Sequence, residues 1–259
     1  MDDSILKLKN MYYAKSKHSN YQILSKKLKE KIGNIDADIK FTYENERLEY
    51  ILKNLNIKNK TVLDIGGNSG FFTLEMIDNG VNSVHYYEGN ETHSEFVKLA
   101  SKVLNLENKI EVTNRYFLFN ELDKFKKNKY DITLLLNVLH HVGDDYGDVE
   151  LSKEKAKESI IEQINSLSTI TRILIFQLGF NWKGTRSMCL FENGTKKELI
   201  DFIAEGTNDN WQITQIGIAQ LSKQEIKYYD LNNNNICRND ELGEFLNRPI
   251  FIMQSRRYL

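Results

Sequence analysis

Apolar residues fall along this chain in two rhythms. Up to about residue 57 they recur at helical spacing, over Ile5–Tyr13, Tyr21–Ile32 and Asn45–Leu55, where Leu48, Tyr50, Ile51 and Leu55 share a face. From Lys60 onward short β-branched runs alternate with helical ones. Thr61–Ile65, Ser83–Glu88, Lys109–Thr113, Tyr130–Leu136 and Arg172–Leu178 read as strands, and Phe71–Asn79, Glu91–Leu104 and Lys153–Ser168 as helices. Tyr130–Leu136 is apolar nearly throughout, as a parallel strand buried on both faces should be. Thr195–Ala204 is a further helix, opened by the capping box Thr195-Lys-Lys-Glu198. Trp211–Ala219 and Ile250–Ser255 bring the count to seven strands and leave room for a closing antiparallel hairpin. The alternation predicts an α/β fold, a doubly wound, mostly parallel sheet behind an N-terminal helical cap.

The stretch that carries chemistry is Thr61-Val-Leu-Asp-Ile-Gly-Gly-Asn-Ser-Gly-Phe-Phe-Thr73. A buried strand carries Asp64, a turn holds Gly66, Gly67 and Gly70, and a helix starts at Phe71. Glycine supplies the backbone angles of such a turn and lets a ligand approach the main chain. The helix N-terminus behind it offers unpaired N–H groups and a positive dipole end to an anionic guest such as a carboxylate. The next strand ends in Glu88, an acidic side chain able to accept both hydroxyls of a ribose. The turn lacks the Gly-x-Gly-x-x-Gly spacing of nicotinamide-dinucleotide sites.

Asp64-Ile65-Gly66-Gly67-Asn68-Ser69-Gly70 resembles the first motif of class I S-adenosylmethionine-dependent methyltransferases, an acidic residue, one residue, then Gly-x-Gly-x-Gly. Asn68 replaces the middle glycine, and Asn is the side chain that best tolerates a left-handed backbone. Tyr130-Asp-Ile-Thr-Leu-Leu-Leu-Asn-Val-Leu-His-His-Val142 resembles the fourth motif of the same family. The resemblance covers about residues 60–180. It implies a seven-stranded Rossmann-like methyltransferase fold, with a cap over 1–57 as part of the same domain and a cofactor-binding domain over 58–259. The implied cofactor is S-adenosyl-L-methionine, leaving S-adenosyl-L-homocysteine as product. Its implied contacts are Asp64, Gly66, Gly67, Asn68, Gly70, Phe71 and Glu88, with Asn114 at the adenine edge and Asn137 at the amino group.

Residue types after the fourth strand narrow the acceptor. Enzymes that methylate amino groups of bases and glutamine usually place Asp/Asn-Pro-Pro-aromatic there, and this chain has Asn137-Val138-Leu139-His140. Cytosine C5 methylation needs a nucleophilic cysteine, normally beside a proline, and neither Cys189 nor Cys237 has one. His140-His141 follows instead. Imidazole titrates near neutral pH and can take a proton from an alcohol; His141 is the favoured base and His140 an orienting or packing neighbour. The acidic run Gly143–Asp148 reads as a solvated loop, or as oxygen ligands from Asp144, Asp145 or Asp148 for magnesium; no metal site is expected. The loop 179–194 leaves the carboxyl end of a strand, where doubly wound folds bind ligands. Its Trp182 and Arg186, with Tyr12, Tyr13 and Lys15 of the cap, are the candidate acceptor contacts. The segment resembles, more loosely, sugar methyltransferases of bacterial capsule biosynthesis that act on nucleotide-activated heptoses. The resemblance implies O-methylation of a nucleotide-sugar hydroxyl. A transfer-RNA wobble-uridine methyltransferase and a small-metabolite or phosphoramidate O-methyltransferase remain as alternatives. Intact Asp64, Gly66, Gly70 and Glu88 speak against a non-catalytic subunit that merely keeps the fold.

Composition sets outer bounds. The 259 residues suit one elaborated α/β domain, and 41% hydrophobic content is enough for a sizeable core. No run approaches the ~18 apolar residues of a membrane span, and the start Met1-Asp2-Asp3-Ser4 lacks a signal-peptide pattern. A cytoplasmic protein without membrane association is expected. Two cysteines are too few for a disulfide framework. A net charge of −1 disfavours nucleic acid as partner. Locally, residues 1–32 carry eight lysines against Asp2, Asp3 and Glu30, either a solvated face or a lid for an anionic acceptor.

Overall fold

The computed structural model describes residues 3–15, 18–19, 21–33, 42–125 and 129–258. Lys17, one of the eight N-terminal lysines, lies outside them. The chain divides into two compact units, Met1–Phe117 and Leu118–Leu259.

The first unit opens with three helices, α1 (Asp3–Tyr13), α2 (Lys26–Ile32) and α3 (Glu44–Asn54). Tyr21–Ser25, expected to be helical, is not; the helix begins only at Lys26. β1 (Thr61–Ile65), α4 (Phe71–Asp78), β2 (Ser83–Glu88), α5 (Glu91–Val103) and β3 (Ile110–Asn114) follow. Asn90 starts α5 by accepting the Thr92 and His93 N–H groups on its side chain. The three strands are parallel, with β2 in the middle. Register pairs Asp64 with Tyr86 and Glu88 with Asn114, so the acidic residues collect toward the carboxyl ends. α4 is buried on nearly every side, from Phe71 through Ile77. α1 packs on α5 through Leu8 and Tyr12, whose ring lies 5.7 Å from that of Phe96.

The second unit holds β4 (Tyr130–Leu136), α6 (Lys153–Leu167), β5 (Thr171–Gln177), α7 (Lys196–Thr207), β6 (Trp211–Ser222), β7 (Glu225–Asp230), the short α8 (Gly243–Leu246) and β8 (Ile250–Ser255). β4 and β5 are parallel; β8 runs antiparallel to β5 on one side and to β6 on the other, and β6 turns back into β7. Within the first unit the strand order is β3-β2-β1, and within the second it is β4-β5-β8-β6-β7.

The described residues thus form eight strands, not seven, and β6 runs on to Ser222. The additional strand closes a two-residue hairpin through Lys223 and Gln224, with φ of 51° and 69°. Two left-handed residues give the twist that a two-residue hairpin needs, a role that Asn-Gly usually fills. The last strand is no hairpin partner of β6 in sequence; β8 inserts between β5 and β6 after β7 has been laid down. Among the described residues no helix is long and apolar enough to cross a membrane.

Candidate active site

In the first unit the turn after β1 is held under the end of β2. The Gly66 and Gly67 N–H groups both donate to the Tyr87 carbonyl, at 2.8 and 3.3 Å. A Cβ on Gly67 would stand 2.5 Å from the Tyr86 ring and 2.8 Å from Asp64 Oδ2, so only glycine fits. Asn68 has φ of 52°, the left-handed conformation its residue type tolerates. The Tyr86 hydroxyl donates to the Asn68 carbonyl. Asp64 is buried, and its Oδ2 accepts from the Thr73 hydroxyl at 2.6 Å. Burial pushes its pKa up to about 7; the Thr73 hydrogen bond opposes that shift and the Glu88 charge adds to it. Glu88 accepts the Asn68 N–H on Oε2 at 2.9 Å and the Asn90 N–H on Oε1 at 2.8 Å. Asn114 is exposed beside Glu88.

Sequence reasoning missed Gln22. Its Oε1 accepts the Phe71 N–H at 3.1 Å and the Ser69 hydroxyl at 3.4 Å, covering the start of α4. The Asn68 side-chain amide donates to the His18 carbonyl at 3.0 Å, and the Tyr12 hydroxyl to the Gln22 carbonyl at 2.7 Å. Tyr12, expected at the acceptor, is thus a buried brace for this segment, while Tyr13 and Lys15 are exposed. Tyr116 was also overlooked: its partly exposed ring lies so close over Gly89 that a Cβ there would sit 2.4 Å from it.

In the second unit β4 is followed by Asn137, with φ of 63°. Its N–H donates to the Gln177 carbonyl at 2.8 Å and its side-chain amide to Gln177 Oε1 at 2.9 Å. A short 3-10 turn, Leu139–His141, then sets the two histidines 4.3 Å apart between ring centroids. They have different environments. His140 is buried, and its Nδ1 accepts the Gly179 N–H at 3.3 Å. In the neutral ring that assigns its proton to Nε2. His141 is partly exposed, with Nδ1 3.5 Å from an Asp145 carboxylate oxygen and 3.7 Å from one of Asp144. The acidic loop thus turns two of its carboxylates toward an imidazole, at ion-pair rather than hydrogen-bond distance.

The segment after β5 folds over this turn. A Cβ on Gly179 would approach His140 Cδ2 to 2.9 Å, and one on Gly184 would approach His141 Cε1 to 3.2 Å. Trp182 is buried, its indole N–H donating to the Val142 carbonyl at 2.7 Å. The ring fastens the loop to the histidine turn and presents no exposed face for stacking, contrary to the expectation for it. Arg186 is exposed on the same loop.

No family model matches the chain, and no curated protein does. Solved structures do, at low identity. Magnesium protoporphyrin IX methyltransferase from Synechocystis PCC 6803, solved with bound S-adenosylmethionine, is 14% identical, with 98% of each chain covered and a TM-score of 0.51. WbdD, in co-crystal with a kinase inhibitor, is 14% identical with a TM-score of 0.54; the match covers 81% of this chain and 40% of WbdD. A putative hemolysin from Streptococcus thermophilus is 13% identical over 86% of this chain and 68% of its own, with a TM-score of 0.51. The likeness establishes a shared Rossmann-like fold.

Proposed function

We propose that the protein is an S-adenosylmethionine-dependent O-methyltransferase whose acceptor is a sugar hydroxyl, carried on a nucleotide-activated sugar. The observation that carries the cofactor reading is the glycine turn packed against Asp64 with Glu88 beside it. Gly67 leaves a cradle that any side chain would fill, and Glu88, at the end of the neighbouring strand, is an acidic side chain of the kind that accepts a ribose diol. These residues fit the cofactor: Glu88 would hold the ribose, the turn 66–70 with Phe71 behind it the amino-acid end, and Asn114 the adenine edge. Asn137 would meet the amino group. The cofactor supplies an already activated methyl group, so the chain's task is to align the acceptor and remove its proton. His141 is the group for that proton. Its Nδ1 faces Asp145 and Asp144, which favours a proton there and leaves Nε2 as the basic nitrogen. His140 is engaged through Nδ1 and serves as packing. Exposed Tyr13, Lys15 and Arg186 are the side chains proposed to meet the acceptor.

Calorimetry with S-adenosylmethionine tests the cofactor reading. Glu88→Ala should weaken binding by roughly 10- to 150-fold for each charge-assisted hydrogen bond lost. Wild-type protein that binds NAD and ignores S-adenosylmethionine would overturn it.

A further inference from the structure

Because β8 is antiparallel to β5, with Phe251 opposite Phe176, the residues just before β8 arrive where β5 ends. That is the edge of the sheet at which doubly wound folds carry their chemistry. Arg248 is delivered there, and its side chain makes its polar contacts with Asn137 and Glu244. Nη1 donates to Asn137 Oδ1 at 2.8 Å. Nε donates to both Glu244 oxygens, at 3.0 and 3.1 Å, and Nη2 also reaches Glu244. Glu244 in turn accepts the Phe180 N–H on Oε1 at 2.9 Å. The Arg248 carbonyl accepts from Gln177 Nε2 at 3.0 Å, and Gln177 Oε1 holds the other end of the Asn137 amide. Space is as restricted as the bonding, since a Cβ on Gly179 would stand 3.1 Å from Arg248 Cζ.

We propose that Arg248 is a positioning residue. It fixes Asn137 in its left-handed conformation and, through Glu244, fixes the start of the loop that packs on the histidine turn. The guanidinium is engaged on both edges and largely enclosed, at 13% side-chain exposure, so it acts through Asn137 and Glu244 rather than on a ligand. A planar fork suits the task because it spans an amide oxygen and a carboxylate at once, which an ammonium cannot do in one geometry. The inference rests on the reading above, in which Asn137 meets the amino-acid end of the cofactor.

The test compares two ligands by calorimetry on the full chain: S-adenosylmethionine, and 5′-methylthioadenosine, which lacks the amino-acid end. Arg248→Met should weaken S-adenosylmethionine binding by about tenfold or more and leave 5′-methylthioadenosine within about threefold. Arg248→Lys should recover only part of the loss. Glu244→Gln, which keeps shape and the Phe180 contact, gives the same comparison if Arg248→Met does not fold. Hydrogen exchange should quicken at the Phe180 amide in both Arg248 variants. Equal losses for the two ligands, or none, would overturn the positioning role while leaving the cofactor reading intact. Wild-type protein that binds neither ligand would instead remove the cofactor reading itself.

Discussion

Asp64 is a carboxyl placed where water does not reach it. Its pKa rises from an ordinary 3.8 to about 7, so the folded chain holds this proton more tightly than the unfolded chain does. The stabilisation is complete below about pH 4 and is lost as pH climbs through 7. Asp64→Asn keeps an oxygen for the Thr73 hydroxyl and removes the titration. Its unfolding free energy should therefore change less between pH 4 and 8 than that of the wild type. Denaturant titrations at both ends of that range check this; an unchanged wild-type slope in the variant would reassign the effect. The histidine pair gives a second expectation at this scale. His141→Ala should lower the transfer rate by about 10²–10⁴ with cofactor affinity nearly unchanged. His140→Ala should mainly destabilise, since it removes a buried ring that accepts the Gly179 N–H. Full activity in His141→Ala together with an inactive but folded His140→Ala would transfer the role of base.

Among elements, α7 shows how much of a boundary can be written locally. Thr195 accepts the Glu198 N–H on its side chain, and Glu198 reaches back to the Thr195 N–H, as the sequence motif predicts. Desolvation raises the Glu198 pKa, but hydrogen bonds from Thr195 and Asn193 together outweigh it and bring the value down to about 2. A depressed carboxylate contributes stability above its ordinary 4.5, lost as pH falls toward 2. Thr195→Ala should cost about 1 kcal/mol in denaturant unfolding at neutral pH, and Glu198→Gln should reduce acid sensitivity between pH 4.5 and 2. Other elements were illegible for equally physical reasons. The β6–β7 hairpin turns through Lys223 and Gln224, which carry no turn signature, and β7 mixes Glu225, Lys227 and Asp230 with its apolar residues. The placement of Arg248 depends on β8 reversing direction beside β5, a long-range pairing that no local pattern encodes. Gln22 caps a helix 49 residues away and was invisible for the same reason.

Across the whole molecule, Lys and Arg total 35 against 36 Asp and Glu, so the global field offers an anionic acceptor no attraction. Recognition of the proposed nucleotide diphosphate would then come from individual cations, and Arg186 is the exposed guanidinium on the loop that packs over the histidine turn. Arg186 is not one of the residues proposed to hold the cofactor, which are the turn 66–70, Phe71, Glu88, Asn114 and Asn137. Arg186→Ala should therefore raise the Michaelis constant for a nucleotide sugar well above tenfold while leaving the calorimetric affinity for S-adenosylmethionine unchanged. Arg186→Lys should restore only part of that, because an ammonium does not reproduce the bidentate fork. Added salt should raise the wild-type constant more than that of Arg186→Ala, since an exposed ion pair is screened within a Debye length of about 8 Å at physiological ionic strength. A panel of GDP-, CDP- and UDP-sugars with labelled cofactor, read by mass spectrometry, supplies the substrate for these measurements. Equal efficiency on a neutral free sugar would show that no phosphate is recognised. A product on transfer RNA instead would move the acceptor to the N-terminal lysines, where Lys26, Lys27, Lys29 and Lys31 lie exposed along α2.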